Sequence, residues 1–290
     1  MKLEVVRPGF AATVQDLGRP GFAAMGVGRS GAADRGALRL ANRLVGNPET
    51  HAALEVTLGG LVLRATGLTT VAVTGADCPI TVDGRAFGPN APFVLRAGEE
   101  LTLGTASTGL RCYVAVRGGI DVPPVLGSRA TDTLGKLGPP PLSAGMTLPV
   151  GHDVLGFPAV DLAPRPAFVP EPVLRVTPGP RVDWFAPDAL DVLVSTVYTV
   201  TPDSDRIGIR LTAAPLPRTR HDELPSEACV PGSLQVPPSG TPILFHADHP
   251  TTGGYPVIAV VSEEDLDIAA QLRPGQRLRF RRAGVGCREW

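Results

Sequence analysis

More than one residue in five of this 290-residue chain is glycine or proline, with 34 of the first and 31 of the second spread along its whole length. Glycine raises the entropy lost on ordering a regular segment, and proline removes a backbone donor. Long helices are therefore disfavoured, and short strands joined by many turns are expected. The apolar pattern agrees. Period-two or short apolar runs recur at residues 3–6, 61–65, 69–74, 80–82, 93–95, 100–103 and 110–116. They return at 173–177, 196–201, 207–211, 242–245, 257–261 and 277–281. Asp83-Gly84, directly after one run, is a hairpin turn signal. Strands at this spacing predict a mainly β protein of barrels or sandwiches.

Helical periodicity is confined to short stretches. Over 33–45, Ala37, Leu40, Ala41 and Leu44 share one face; Ser30 or Asp34 is placed to cap the start, and Gly46-Asn47-Pro48 to stop it. A second helix is expected at 263–272, with Ser262 three residues before Asp265 and Pro274-Gly275 at its end. A helical turn is expected near 187–193. The stretch 151–171 holds Pro158, Pro164, Pro166 and Pro170 and reads as a connection between two β-rich lobes, 1–150 and 172–290. Residues 121–145, with Pro123-Pro124 and Pro139-Pro140-Pro141, form a long irregular segment of the kind that is functional or mobile.

The 27 basic and 28 acidic residues nearly cancel, which argues against a polyanion-binding surface over the whole molecule. No run reaches the roughly 18 apolar residues of a membrane helix. Glu4 and Arg7 interrupt the place where an export signal would be apolar. Cys78, Cys112, Cys229 and Cys287 form no CxxC pair and read as free, mostly buried thiols. A cytoplasmic protein is expected.

Common catalytic signatures, among them the Walker A loop, the GxSxG elbow, HExxH and GxGxxG, are missing. His246 and Asp248 would share one face of a strand, but no third ligand is identifiable and no metal is expected. Pro250-Thr251-Thr252-Gly253-Gly254-Tyr255-Pro256 would let amides and hydroxyls approach an oxyanion, or is simply a Gly-Gly hairpin. Leu224-Pro225-Ser226-Glu227 and Gly232-Ser233-Leu234-Gln235-Val236-Pro237 form a further polar island among apolar residues. In a strand, Arg206 and Arg210 would face one side and clamp a carboxylate; surface ion pairing is the alternative. Near the start, Gln15, Asp16, Arg19 and Asp34 surround a glycine-rich turn, and Arg117 follows an apolar strand. Capping and turn geometry are the competing readings there.

The ordered set of these islands carries a resemblance. Thr13-Val14-Gln15-Asp16-x-Gly18-Arg19, Ser30-Gly31-Ala32-Ala33-Asp34, Ala41-Asn42-Arg43-Leu44-Val45-Gly46-Asn47 and Leu54-Glu55 come first. Gly75-Ala76, Arg117-Gly118-Gly119, Gly127-Ser128-Arg129 and Gly179-Pro180-Arg181 follow. Asp205-Arg206-x-Gly208, Leu224-Pro225-Ser226-Glu227 and Thr251-Thr252-Gly253-Gly254-Tyr255-Pro256 complete it. Over about residues 3–282 the chain resembles the biotin-dependent carboxyltransferase family, which includes allophanate hydrolase subunit 2, the C-type subunit of 5-oxoprolinase and the regulator KipA.

The resemblance implies a cyclophilin-like β-barrel architecture with two β-rich lobes. It also implies a partner resembling allophanate hydrolase subunit 1 or the B-type subunit of 5-oxoprolinase, and a small amide substrate. The activity implied is ATP-dependent hydrolysis of a cyclic amide by the two-component complex, with ATP and Mg as cofactors. Carboxyl transfer from carboxybiotin to a urea-like amide, or KipA-like binding without catalysis, are the alternatives. In such a site Arg117, Arg206 and Arg210 would hold a carboxylate or phosphoryl oxygen. Thr251, Thr252, Gly253 and Gly254 would form an oxyanion pocket, with Gln15, Arg19, Ser226, Gln235 and Tyr255 lining it. Asp16, Asp34 or Glu227 would orient or deprotonate the amide nitrogen, the loops of both lobes meeting in one cleft. The chain departs from its relatives in having Val257 where Lys is common, Ala228 after Glu227, and a proline-rich stretch between Thr133 and Leu148.

Overall fold

The computed structural model describes residues 1–165 and 167–284, so Cys287, expected as a free thiol, lies outside the described residues. The chain divides into two units, one of Met1–Phe22 with Arg29–Phe168, the other of Ala23–Gly28 with the chain from Val169 onward.

The first unit is built from β1 (Lys2–Pro8), β2 (Ala11–Gln15), α1 (Arg35–Leu44), β3 (Ala53–Thr57), β4 (Leu61–Ala65) and β5 (Thr69–Asp77). After these come β6 (Ile80–Val82), β7 (Arg85–Phe87), β8 (Pro92–Leu95), β9 (Glu100–Leu103), β10 (Thr108–Val116) and β11 (Thr147–Pro149). A six-stranded sheet runs β11-β1-β4-β9-β6-β7, and a five-stranded sheet runs β2-β3-β10-β5-β8. Alternate residues of both sheets, among them Val5, Leu63 and Leu101 of the first and Val14, Val56 and Val114 of the second, form one buried cluster. That is the core of a β-sandwich. Asp83 and Gly84 both have positive φ, so the β6–β7 hairpin turns where the sequence indicated.

The other face of the five-stranded sheet carries α1. Leu38, Ala41 and Leu44 pack on Ala53, Ala72, Tyr113 and Ala115, small sheet residues that let the helix approach closely. Asp34 is its cap, the carboxylate accepting from the Ala37 N–H at 2.8 Å.

The second unit contains β12 (Val173–Pro178), α2 (Ala189–Ser195), β13 (Val197–Val200), β14 (Gly208–Thr212), β15 (Glu227–Ala228) and β16 (Ser233–Gln235). It continues with β17 (Ile243–Phe245), β18 (Thr252–Gly253), β19 (Val257–Val261), α3 (Leu266–Ala270) and β20 (Arg277–Arg282). Seven of these close into a barrel, β12-β19-β16-β17-β14-β13-β20, so the mainly β expectation holds. The interior is filled by Leu174, Tyr198, Leu211, Leu234, Ile258 and Phe280, with Leu193 of α2 and Ala269 of α3 in the same cluster.

The helix expected at 263–272 is shorter. Residues Glu263–Asp265 make a 3-10 turn, and Ser262 gives no side-chain cap. The reason is tertiary: Asp265 accepts from the backbone and guanidinium of Arg175, at 2.6 and 2.7 Å, and is unavailable for local capping. Among the described residues no helix is long and apolar enough to cross a membrane.

Candidate functional site

In the first unit, β2 extends through Gln15, so the expected glycine-rich turn begins at Asp16. The side chains of Thr13 and Gln15 leave the sandwich core to Ala12 and Val14, and both are buried. Asp16 then gathers the surrounding loops. Its carboxylate accepts from the Gly18 N–H at 2.8 Å, the Ser128 hydroxyl at 2.6 Å and the Arg129 N–H at 2.6 Å. Its carbonyl accepts from the Ala32 N–H. Gly18 cannot carry a side chain, since a Cβ would meet the Arg29 carbonyl at 2.4 Å at a positive φ of 83°.

Arg19 is 1% exposed and donates to the carbonyls of Val125 and Ala130, with the Asp132 carboxylate 3.7 Å away. Gln15 donates to Thr131 O at 2.9 Å and Thr13 Oγ1 at 3.1 Å. The irregular segment 121–145 is thus tied down by buried side chains of the N-terminal loop.

A second set lies beneath Asp34. The Tyr113 hydroxyl donates to Glu55 at 2.7 Å and accepts from the Asp34 N–H at 2.8 Å; Glu55 also accepts from the Ala33 N–H. Arg111 stands 3.5 Å from Glu55. Burial pushes the Tyr113 hydroxyl well above the usual phenol range, and the Glu55 and Asp34 charges add to it, so Tyr113 stays a donor. Sequence reasoning gave Tyr113 no role because it sits within an apolar strand. A buried tyrosine needs a partner for its hydroxyl, and that need is the readable signal.

Arg117, placed at a cleft from sequence, instead donates to Val45 O at 2.9 Å and to Gly156 O, with its guanidinium 5.2 Å from the Phe157 ring. It holds the proline-rich connection to the end of α1.

In the second unit the arginine pair does not form. Arg206 precedes β14 in a bend, is 8% exposed, and makes a two-bond pair with Asp248, Nε to Oδ2 and Nη2 to Oδ1, both 2.9 Å. Arg210 lies on the outer face of β14 and is exposed. The strand assumed from the apolar run starts at Gly208, so the four-residue spacing does not put both guanidinium groups on one face. His246 and Asp248 likewise follow β17 in a turn rather than a strand. His246 Nδ1 accepts from the Ala247 N–H at 2.8 Å, and Asp248 is held by Arg206. Among the described residues no group of three or more His, Cys, Asp or Glu side chains is placed to hold a metal.

Two islands that are 24 residues apart in sequence do come together. β15 pairs with β18, Glu227 opposite Gly253 and Ala228 opposite Thr252. Arg181 clamps Glu227, Nε to Oε2 at 2.9 Å with a second bond from Nη2 to Oε1, and these bonds hold the Glu227 carboxyl below its usual range. A carboxylate held down in this way is a poor proton acceptor at neutral pH but a fixed negative charge.

Gly253 is required by packing. A Cβ there would meet Gln235 Nε2 at 2.4 Å and Cys229 Sγ at 3.2 Å, and Gln235 is itself fixed by donation to Tyr255 O at 3.2 Å. Thr252, Gly254 and Ser226 are exposed, Thr251 is half-buried, and Tyr255 is 47% exposed. The predicted residues Gln15, Asp16, Arg19, Asp34 and Arg117 therefore belong to the first unit, and the others to the second.

The sandwich with its capped helix, the closed barrel and the paired Glu227 and Thr251–Gly254 islands define a class. The chain belongs to the carboxyltransferase domain family, subdomains A and B, which it matches over residues 25–282. It is 38% identical to the C-type subunit of 5-oxoprolinase from Escherichia coli, covering 96% of this chain and 90% of that one. It is 32% identical to urea amidolyase of Saccharomyces cerevisiae, covering 96% of this chain and 16% of that one. The crystal structure of the Kluyveromyces lactis urea amidolyase superposes with a TM-score of 0.90 at 31% identity, covering 98% of this chain and 19% of that one. The chain therefore spans about a fifth of that solved relative and most of the bacterial protein.

Proposed function

We propose that this chain is one subunit of a two-component, ATP-dependent amide hydrolase of the 5-oxoprolinase type. It would open a cyclic amide in the cytoplasm together with a partner resembling the B-type subunit of 5-oxoprolinase. The observation that carries this reading is the 38% identity to the C-type subunit of that enzyme across nearly the full length of both chains. The closed barrel is read as cyclophilin-like. Free thiols at Cys78, Cys112 and Cys229 suit a reducing compartment.

In this reading the β15–β18 strand pair faces the substrate. Exposed Thr252 and Tyr255 hydroxyls and the Gly254 backbone are available as donors to an amide carbonyl, and Glu227, fixed by Arg181, accepts from the ring N–H. Ser226 and Thr251 flank them, and exposed Arg210 supplies a cation for a substrate carboxylate. Asp16, Arg19, Asp34, Arg117, Arg206 and Gln235 act by position, since their polar atoms hold loops.

The β15–β18 pair does not fit a triphosphate. Gly253 is packed against Gln235 and Cys229 rather than opening an amide cradle, and the fixed Glu227 charge opposite it repels phosphate. The ATP and Mg requirement would then be met by the assembled complex, not by this strand pair.

The second reading is a carboxyltransferase component that uses carboxybiotin. The description of the matched family and the fold of the Kluyveromyces lactis urea amidolyase favour it. One reconstitution tests both. The chain purified with its partner should release glutamate from 5-oxoproline only with ATP. Absence of that release, with carboxyl transfer appearing when a biotin carrier is added, would move the chain to the second reading.

A further inference from the structure

We propose that Cys78 and Cys112 form a hydroperoxide-oxidisable dithiol, a modification site in the core of the first unit, distinct from the β15–β18 pair. Their sulfurs lie 3.4 Å apart, inside the same buried apolar cluster, at 5% and 0% exposure. The backbone explains the encounter. Along β5 and β10 the register runs Val116↔Val71 to Cys112↔Gly75, then shifts before Thr108↔Asp77.

The shift is a bulge made possible by Gly75, whose φ is +86° and where a Cβ would meet the Arg111 carbonyl at 2.3 Å. The bulge carries Cys78, one residue past the end of β5, onto the core face beside Cys112. The Cys112 S–H can also donate to Ala76 O at 3.6 Å, which keeps its sulfur pointed at the end of β5. Closing from 3.4 Å to a disulfide length of about 2 Å requires rotation about the two Cα–Cβ bonds rather than a new strand register.

Accessibility sets the order of events, and the thiol shifts run the same way. Hydrogen bonding from Cys112 lowers the Cys78 thiol, while the same bond and burial push Cys112 well above the usual range. Cys78 is also the more accessible of the two. Its thiolate attacks the O–O bond of a hydroperoxide, giving a Cys78 sulfenic acid and releasing the alcohol or, from hydrogen peroxide, water. The Cys112 sulfur then attacks the Cys78 sulfur; the S–S bond forms, and hydroxide leaves with the Cys112 proton as water. Two thiols and one hydroperoxide give one disulfide, one alcohol and one water. Arg111 and Tyr113 flank Cys112 and reach Glu55 on the opposite face of the sheet, so the modification site lies on the strand that carries that network.

The test uses the full chain with hydrogen peroxide, followed by denaturation, alkylation and peptide mass analysis. The expected result is a linked peptide pair holding Cys78 and Cys112, loss of alkylation at both, and recovery of both on thiol reduction. Cys112→Ala should lose the linked pair and leave a Cys78 sulfenic acid that a dimedone probe captures. Cys78 and Cys112 still fully alkylated at peroxide concentrations that oxidise half-buried Cys229 would overturn the proposal, as would linkage of either to Cys229. Cys112→Ser serves as the second variant if Cys112→Ala does not fold.

Discussion

At the scale of single residues, Arg206 separates a binding role from a structural one. Its guanidinium is engaged twice by Asp248 and is buried, so removing it takes two charge-assisted bonds from a carboxylate that is 2% exposed. Breaking one side of such a pair costs about 3–5 kcal/mol. Arg206→Ala should therefore lower the urea midpoint strongly, read by Trp184 fluorescence in a Trp290→Phe background. Loss of turnover without that destabilisation would restore the clamp. Gly253 makes the complementary case. Gly253→Ala forces a Cβ against Gln235 Nε2, an overpacking cost of roughly 1–3 kcal/mol, and should lower turnover of the assembled complex. Adding Gln235→Ala removes the obstructing amide, so the double variant should regain part of the loss; strict additivity of the two effects would refute the steric account.

At the scale of elements, the loops of the first unit depend on Asp16. Three donors from two distant segments converge on its carboxylate, and hydrogen bonds to a charged group contribute about 1.5–3 kcal/mol each. Asp16→Ala should speed hydrogen exchange at Gly18 and Arg129 together, while exchange in the β1–β4 pairing stays slow. An unchanged Arg129 amide would mean that segment 121–145 is held by other contacts. The helix cap is a smaller effect: Asp34→Ala removes the bond to Ala37 and costs about 1 kcal/mol in chemical denaturation.

These elements also show what could be read in advance. The runs at 61–65, 80–82, 100–103 and 257–261 coincide with strands at both ends, since alternation and turn residues act locally. β2, β3, β11 and β16 carried no such signal. β2, β3 and β16 hold buried polar residues such as Gln15, Glu55, Ser233 and Gln235, β11 is only three residues long, and all four are strands because neighbouring strands accept them. The pair of β15 and β18 is two residues on each side, too short for any periodicity.

At the scale of the whole molecule, pH reports on paired charges. Hydrogen bonds from Arg279 hold Glu171 below the usual carboxylate range, and those from Arg181 do the same for Glu227. Burial alone would raise Asp265, but its bonds to Arg175 outweigh that and leave it lowered. Groups lowered on folding stabilise above the unfolded carboxylate value and lose that contribution as pH falls, so acid unfolding should steepen below about pH 4. Tyr198 works in the opposite direction. Burial raises its hydroxyl to about 12, so the neutral form stabilises the barrel at lower pH and that support is lost as pH rises through this value. An alkaline transition followed by Trp184 fluorescence should be moved to higher pH by Tyr198→Phe; an unmoved transition would exclude Tyr198 as its cause.

The sequence alone determined that this chain is mainly β, where most strands lie, where α1 falls and which family its ordered polar islands resemble. Those properties depend on residue type and short-range spacing, which are written directly in the chain. Only the tertiary structure decided what the islands do. It joined Glu227 to Gly253, engaged Arg206 with Asp248, turned Arg117 toward carbonyls and brought Cys78 to Cys112. Each of these pairs residues far apart in sequence, and their partners are chosen by strand register, a bulge and burial, none of which a local pattern encodes.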